Sequence, residues 1–314
     1  MEGKKKAGIL ITLSGGICWG ISGCFGQFLF VEKNITAEWL VAIRLIFAGV
    51  LLIIMGFVIQ KEKMWEVFKN KADTKQLLIF SFLGILMCQY TYFAAIQHSN
   101  AGTATVLQFL NPLIILAVVC VKGRRLPGKV ELWGIMAALL GTFLLSTRGD
   151  IHNMSLTGTA LFFGLSSALG AALYSLLSGD LMKKYGVYVV VGYGMLFGGI
   201  IMVPFVRPWN YPILWDLGTI LGVLGVVVIG TAVAFSLFLK GVSLVGPFMG
   251  SLLGSIEPVT AIVVSVLFLG SVFHPVELVG FILILGTVFG LSFYSGKEEK
   301  EMIARETEKV YEVD

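Results

Sequence analysis

Ten apolar runs, each long enough to cross a lipid bilayer, constrain this chain more than any other feature. They cover 7–30, 38–60, 76–97, 101–121, 129–147, 157–178, 187–206, 217–239, 246–269 and 275–295. A bilayer core is about 30 Å thick and a helix rises about 1.5 Å per residue, so about 20 apolar residues span it. In lipid no water is available to backbone N–H and C=O groups, which leaves the helix as the structure for runs of this length. Composition agrees: 57% of the 314 residues are hydrophobic, 13% are charged, and the mean hydropathy is +0.89. A soluble domain carries about a quarter of its residues charged. The expected fold class is an all-α polytopic membrane protein with ten transmembrane helices.

The net charge of +4 reports orientation, not a nucleic-acid partner. With an even number of spans both termini share one side. That side collects 19 of the 23 Lys and Arg residues, whereas Lys33, Arg148 and Arg207 fall on the other and Arg44 lies inside a span. Basic loops stay in the cytoplasm, so the expectation is a multi-pass protein of the plasma (cell) membrane with cytoplasmic N- and C-termini. The four cysteines (Cys18, Cys24, Cys88 and Cys120) lie within spans without CxxC spacing and read as packing residues. KKK before an apolar run, with ISGC at 21–24, imitates a lipoprotein signal. The run continues past Cys24, longer than a signal peptide's apolar core, so no cleavage is expected.

A comparison of the chain with itself gives a repeat. Shifted by 146, AIQHSNAGTATVLQFLNPLIILAV (95–118) falls on GVSLVGPFMGSLLGSIEPVTAIVV (241–264), Pro112 on Pro258 and Asn111 on Glu257. Glu131 then meets Glu277 and Gly134 meets Gly280. The reading is two five-helix copies, 1–150 and 151–296, joined by TRGDIHNMSL (147–156) and followed by a charged cytoplasmic tail, 297–314. Five is odd, so the second copy enters from the opposite face. Inverted repeats recur in secondary transporters, which bind substrate near the midplane at the repeat interface.

Gly246, Gly250, Gly254 and then Glu257 or Pro258 recur at helical spacing, so one small-residue face of the ninth run is expected to pack on another helix. Asn100, Ala104, Gln108 and Asn111 make the matching face of the fourth. Pro112 and Pro258 each remove a backbone donor and are hinge candidates. An ionisable group at mid-membrane is costly and faces a bundle interior or wet cavity. Glu257 therefore either lines a transport path, as a proton site or an anchor for a cationic group, or ties together a broken helix. Arg44 has two readings as well. Its shallow position favours snorkelling to the outer interface, and the alternative is pairing with Glu257 or holding a substrate carboxylate. Trp19, Gln89, Tyr90, Tyr92, Tyr174 and Tyr193 are further inward candidates, each a polar tip on an apolar body. Trp209, Tyr211 and Trp215 suggest an interfacial belt. His98, His152 and His274 sit at span ends or in loops and form no metal-ligand spacing, so neither a metal nor a cofactor is expected. The chain has no HExxH, P-loop or GxSxG.

At these residues the sequence resembles a known family. GGICWGISGCF resembles the Trp-Gly opening of an EamA repeat, in the drug/metabolite transporter superfamily. AAIQHSNAGTATVLQFLNPLIILAVV resembles that family's third and fourth spans, and LVGPFMGSLLGSIEPVTAIVVSVLFLG with VELVGFILILGTVFGLSF resembles the second copy. The resemblance implies a ten-helix inverted-repeat carrier that moves small metabolites through a central cavity, often exporting amino acids or related compounds. Where the family often closes the proline-bearing helix with Gly-Glu, this chain has Gly123-Arg124 and Gly270-Ser271. The expected function is secondary transport by alternating access, uncoupled or proton-coupled. The expected partners are a small-molecule substrate, the lipid bilayer and protons as a candidate coupling ion, with no nucleic acid. A membrane-embedded enzyme acting on lipid-linked substrates and a passive channel are the alternatives.

Overall fold

The computed structural model of the chain describes residues 2–59, 64–150, 155–291 and 293. His152, part of the linker between the copies and the 297–314 tail lie outside the described residues. Among the described residues the fold is helical, without strands, and is that of a polytopic membrane protein. The helices are α1 (Glu2–Lys33), α2 (Ala37–Ile59), α3 (Lys71–His98), α4 (Ala101–Lys122), α5 (Lys129–Thr147), α6 (Gly158–Tyr185), α7 (Val187–Val206) and α8 (Leu217–Val245). Then come α9, in two pieces (Pro247–Gly254 and Ile256–Leu269), and α10 (Pro275–Leu291).

Several helices run past the apolar stretches that predict them, because charged ends find partners. Asp73 at the start of α3 pairs with Lys184 and accepts from the Tyr185 hydroxyl (2.6 Å) at the end of α6. Lys33 at the end of α1 pairs with Asp216, the N-cap of α8, at 2.6 Å. The Lys33 ammonium and the Thr219 N–H hold the Asp216 carboxyl down to about 2, so the carboxylate stays ionised throughout the physiological range. A third pair joins Arg148, just after α5, to Glu277 near the start of α10 (3.1 Å).

Packing is dominated by contacts that cross between the first five helices and the second five. The most extensive join α2 to α7, α1 to α8, α3 to α6 and α1 to α9. Small residues set how close the helices come. A Cβ added at Gly20 of α1 would sit 2.6 Å from the Glu257 carbonyl oxygen and 3.1 Å from the Ala261 nitrogen. The buried centre holds Leu29, Leu40, Leu45, Phe80 and Phe93, all fully buried. The outward faces carry Phe47, Val58, Trp133, Phe162 and Ile282, an apolar surface that suits lipid.

Regular helical winding gives way in two manners. Phe109, inside α4, and Ser255, between the two pieces of α9, share the same backbone angles (φ −67°, ψ 0°). Each interruption lies three residues before a proline. Residues Phe80–Leu86 of α3 and Gly225–Val233 of α8 are wound as π-helix, nearly one repeat offset apart. Gly246 does not belong to the expected packing face. It ends α8 at φ +87°, a conformation glycine adopts without steric cost, and nothing lies within 4 Å of its Cβ position. Gly250 and Gly254 do pack on α8, against Val242 and Phe238.

One close crossing gives a test. A Cβ at Gly280 of α10 would lie 2.6 Å from Gly141 O and 3.0 Å from Leu145 N of α5, both backbone atoms. At Gly286, on the same helix, nothing lies within 4 Å. Gly280→Ala is expected to destabilise by about 1–3 kcal/mol, seen as a lower unfolding temperature in detergent, and Gly286→Ala to leave it unchanged. Equal melting of the two variants would refute the close crossing.

Candidate functional site

A cavity of about 360 Å³ lies among α1, α2, α3, α4, α6, α7, α8 and α9. Its wall includes Trp19, Arg44, Gln89, Gln108, Asn111, Tyr174 and Glu257, which brings together seven of the residues singled out in the sequence. Tyr92 also lines it, its hydroxyl 2.9 Å from Thr105 Oγ1. Two candidates lie elsewhere. Tyr90 donates to Glu38 Oε1 (3.3 Å) and packs on Phe163. Tyr193 stacks among Phe68 and Phe197. Neighbouring helical residues point about 100° apart, so Gln89 and Tyr90 do not share a wall.

The helix interruptions supply the polar part. Pro112 has no N–H, which frees the carbonyl four residues back, that of Gln108. The Asn111 side chain fills the gap: its Nδ2 donates to Gln108 O at 3.0 Å. The second copy is built differently. Glu257, at the matching position, has no amide to donate, and its carboxylate makes no hydrogen bond within the described protein. Asn111 is committed to the backbone, and Glu257 is left facing the cavity.

Arg44 does not snorkel. It is seven residues into α2, about 10 Å along the axis, and its side chain is 5% exposed. It turns inward because α8 offers an acceptor: Nη2 donates to Gly230 O (3.2 Å) in the π-wound segment. The Phe93 ring lies beneath the guanidinium at 5.1 Å, a favourable cation–π placement. Its Nε is buried without a partner, as is the neighbouring Ser22 hydroxyl. No ion pair within 4 Å joins Arg44 to Glu257 among the described residues.

The remaining wall was not singled out in the sequence. Phe235 and Phe238 of α8 pack on Trp19, with ring centroids 5.2 Å and 4.8 Å away. Ser22, Cys88, Ala171, Ser175, Met182, Val187 and Leu239 complete it. Ser22 follows Trp19, Ala171 precedes Tyr174 and Cys88 precedes Tyr92 by one helical turn, a spacing signal the other residues lack. Met182, Val187 and Leu239 carry the cavity toward the end of the bundle with the α6–α7 turn. At the opposite end the helices are joined. Gln27 accepts from Ala101 N (2.8 Å) at the start of α4 and donates to Ser271 Oγ (3.0 Å) beyond α9, and the Lys33–Asp216 pair lies at that end of α1.

The Asn111 bond generates a prediction. Asn111→Ala leaves a half-buried carbonyl without this partner and is expected to cost about 0.5–1.5 kcal/mol of stability. Gln89→Ala removes a neighbour in the same cavity that makes no hydrogen bond among the described residues and should change stability by less than about 0.5 kcal/mol. Thermal unfolding of both variants in detergent checks this, and indistinguishable melting would remove the capping role.

Comparison with known proteins places this architecture. The model of the EamA-like transporter family matches the chain twice, over residues 6–147 and 158–293. The inner membrane transporter YicL of Salmonella typhimurium is 38% identical over 298 residues, covering 95% of this chain and 99% of that protein. The threonine/homoserine exporter RhtA of Escherichia coli is 29% identical over 254 residues, 80% of this chain and 81% of that one. The transporter YetK of Bacillus subtilis is 25% identical over 293 residues, 91% and 87% of the two chains. A solved crystal structure with 14% sequence identity superposes with a TM-score of 0.61 over 94% of this chain and 99% of that one, a likeness of fold. These relatives are transporters and not enzymes. The chain belongs to the EamA-like transporter family, within the drug/metabolite transporters.

Proposed function

We propose that this transporter is a secondary carrier that exports amino acids or related polar metabolites by alternating access between two inverted five-helix copies, 1–150 and 151–296. The observation that carries the reading is the shared cavity: both copies line it, and the helices are joined at one end of the bundle by the Gln27 and Lys33 contacts. A passive pore would need a path through both ends.

Inversion is supported by features that recur at about the repeat offset on opposite ends of the bundle. Lys33–Asp216 joins α1 to α8, and Lys184–Asp73 joins α6 to α3. Glu131 Oε2 accepts from Gly128 N (2.7 Å) before α5, and Glu277 Oε2 accepts from His274 N (2.6 Å) before α10. Glu131 pairs with Arg125 (2.7 Å) within its own copy, whereas Glu277 takes Arg148 from the other. Amino-acid export is supported by the likeness to RhtA and by a cavity at the small end of the roughly 300–1,000 Å³ usual for small-molecule sites. With the basic loops cytoplasmic, the cavity of this conformation faces inward, ready to load a solute for export.

Cys88 reports access, since it is the one cavity-lining cysteine among the described residues. In a variant retaining Cys88 as its sole cysteine, a membrane-impermeant maleimide is expected to label from the cytoplasmic face at least about 10-fold faster than from the other. Replacing Gln27 with Ala and Lys33 with Gln together should raise labelling from the slow face. Equal labelling of the parent from both faces would indicate a pore and overturn the carrier reading.

A further inference from the structure

We infer that the cavity recognises a zwitterion, with Arg44 receiving the substrate's carboxylate and Glu257 its ammonium, so that the bound solute bridges the two copies. The inference rests on the carrier reading and names the chemistry of its site.

Three observations lead to it. First, both charges face one cavity and come from different halves of the chain, α2 and α9. Second, they are not each other's partners: no ion pair within 4 Å joins them among the described residues. Third, each is short of hydrogen bonds. Arg44 is almost fully buried and spends Nη2 on Gly230 O, while its Nε has no partner among the described residues. Glu257 has no donor within the described protein. Its counterpart Asn111 is tied to the backbone.

A buried guanidinium is costly unless its donors are met, and it presents them in a fork that matches a carboxylate. A carboxylate with no donor around it is the complementary seat for an ammonium. A solute carrying both groups satisfies the site without adding net charge to a low-dielectric interior. A dicarboxylate would meet Glu257, and a diamine would meet Arg44, each as a like charge. The aromatic wall of Trp19, Phe235 and Phe238 leaves an apolar place for the rest of the molecule. Ser22, whose buried hydroxyl also lacks a partner, lies in the same wall.

The test uses the full chain in lipid nanodiscs and proteoliposomes. The twenty L-amino acids are screened by thermal shift. Each hit is then compared with its carboxamide, which lacks the carboxylate, and its 2-hydroxy acid, which lacks the ammonium. At least one amino acid is expected to stabilise the unaltered protein, and both analogues should bind at least about 10-fold more weakly, the scale of one lost charge contact. Arg44→Gln should erase the preference over the carboxamide and keep that over the hydroxy acid, and Glu257→Gln should do the reverse. The comparison of analogues on the unaltered protein stands even where a variant fails to fold. No binding by any of the twenty, or equal binding of an amino acid and its carboxamide, overturns the inference. Counterflow in proteoliposomes separates the two levels. Saturable counterflow that ignores either charge leaves the carrier and removes the zwitterion site, whereas unsaturable equilibration removes the carrier itself.

Discussion

The constraint on which this structure depends is that lipid offers nothing to an unsatisfied backbone group. A ten-helix bundle without irregularities would meet it easily but would have no polar interior. This chain admits breaks and settles several of them locally. Asn111 covers the carbonyl released by Pro112, Gln27 accepts the Ala101 N–H at the start of α4, and Gln97 accepts the Ala37 N–H (2.6 Å) at the start of α2. The π-wound stretch of α8 leaves Gly230 O available to Arg44.

The same economy governs charge. At the helix ends, Lys33, Asp73, Lys184 and Asp216 are paired across the two halves of the chain, where water lowers the cost of an imperfect match. Within the bundle, Arg44 and Glu257 are held apart. Glycine-lined approaches of α1 to α8 and α9 set the geometry, since Gly20 lets the helix bearing Glu257 pass within contact of α1. Side-chain chemistry, helix spacing and proposed substrate recognition therefore meet in one layer.

Much of this was legible in the sequence, for definite reasons. Apolar runs announce spans because the bilayer demands length and hydrophobicity together. Gln108, Asn111 and Glu257 fall on the faces that 3.6-residue periodicity predicts, and a polar residue in an apolar run has few places to go. Arg44 was harder. Distance from a helix end favours snorkelling, whereas its direction is decided by Gly230 O on a helix almost two hundred residues away. Tyr90 was drawn to Glu38 by a partner that periodicity does not see. Phe235, Phe238, Met182 and Val187 gave no signal, because an apolar cavity wall has the composition of a lipid-facing one. Gly246 read as one more small residue in a stripe, and only its positive φ shows that it closes α8.

The π-wound segments of α3 and α8 have a consequence for how these helices are phased. Such a segment holds more residues per turn than the helix on either side of it, so the residues beyond it are rotated about the axis relative to those before. In α8 the stretch before Gly225 and the stretch after Val233 therefore do not share one continuous face, and Phe235 and Phe238 can line the cavity without the earlier turns having to follow suit. A single helix thus serves two surroundings.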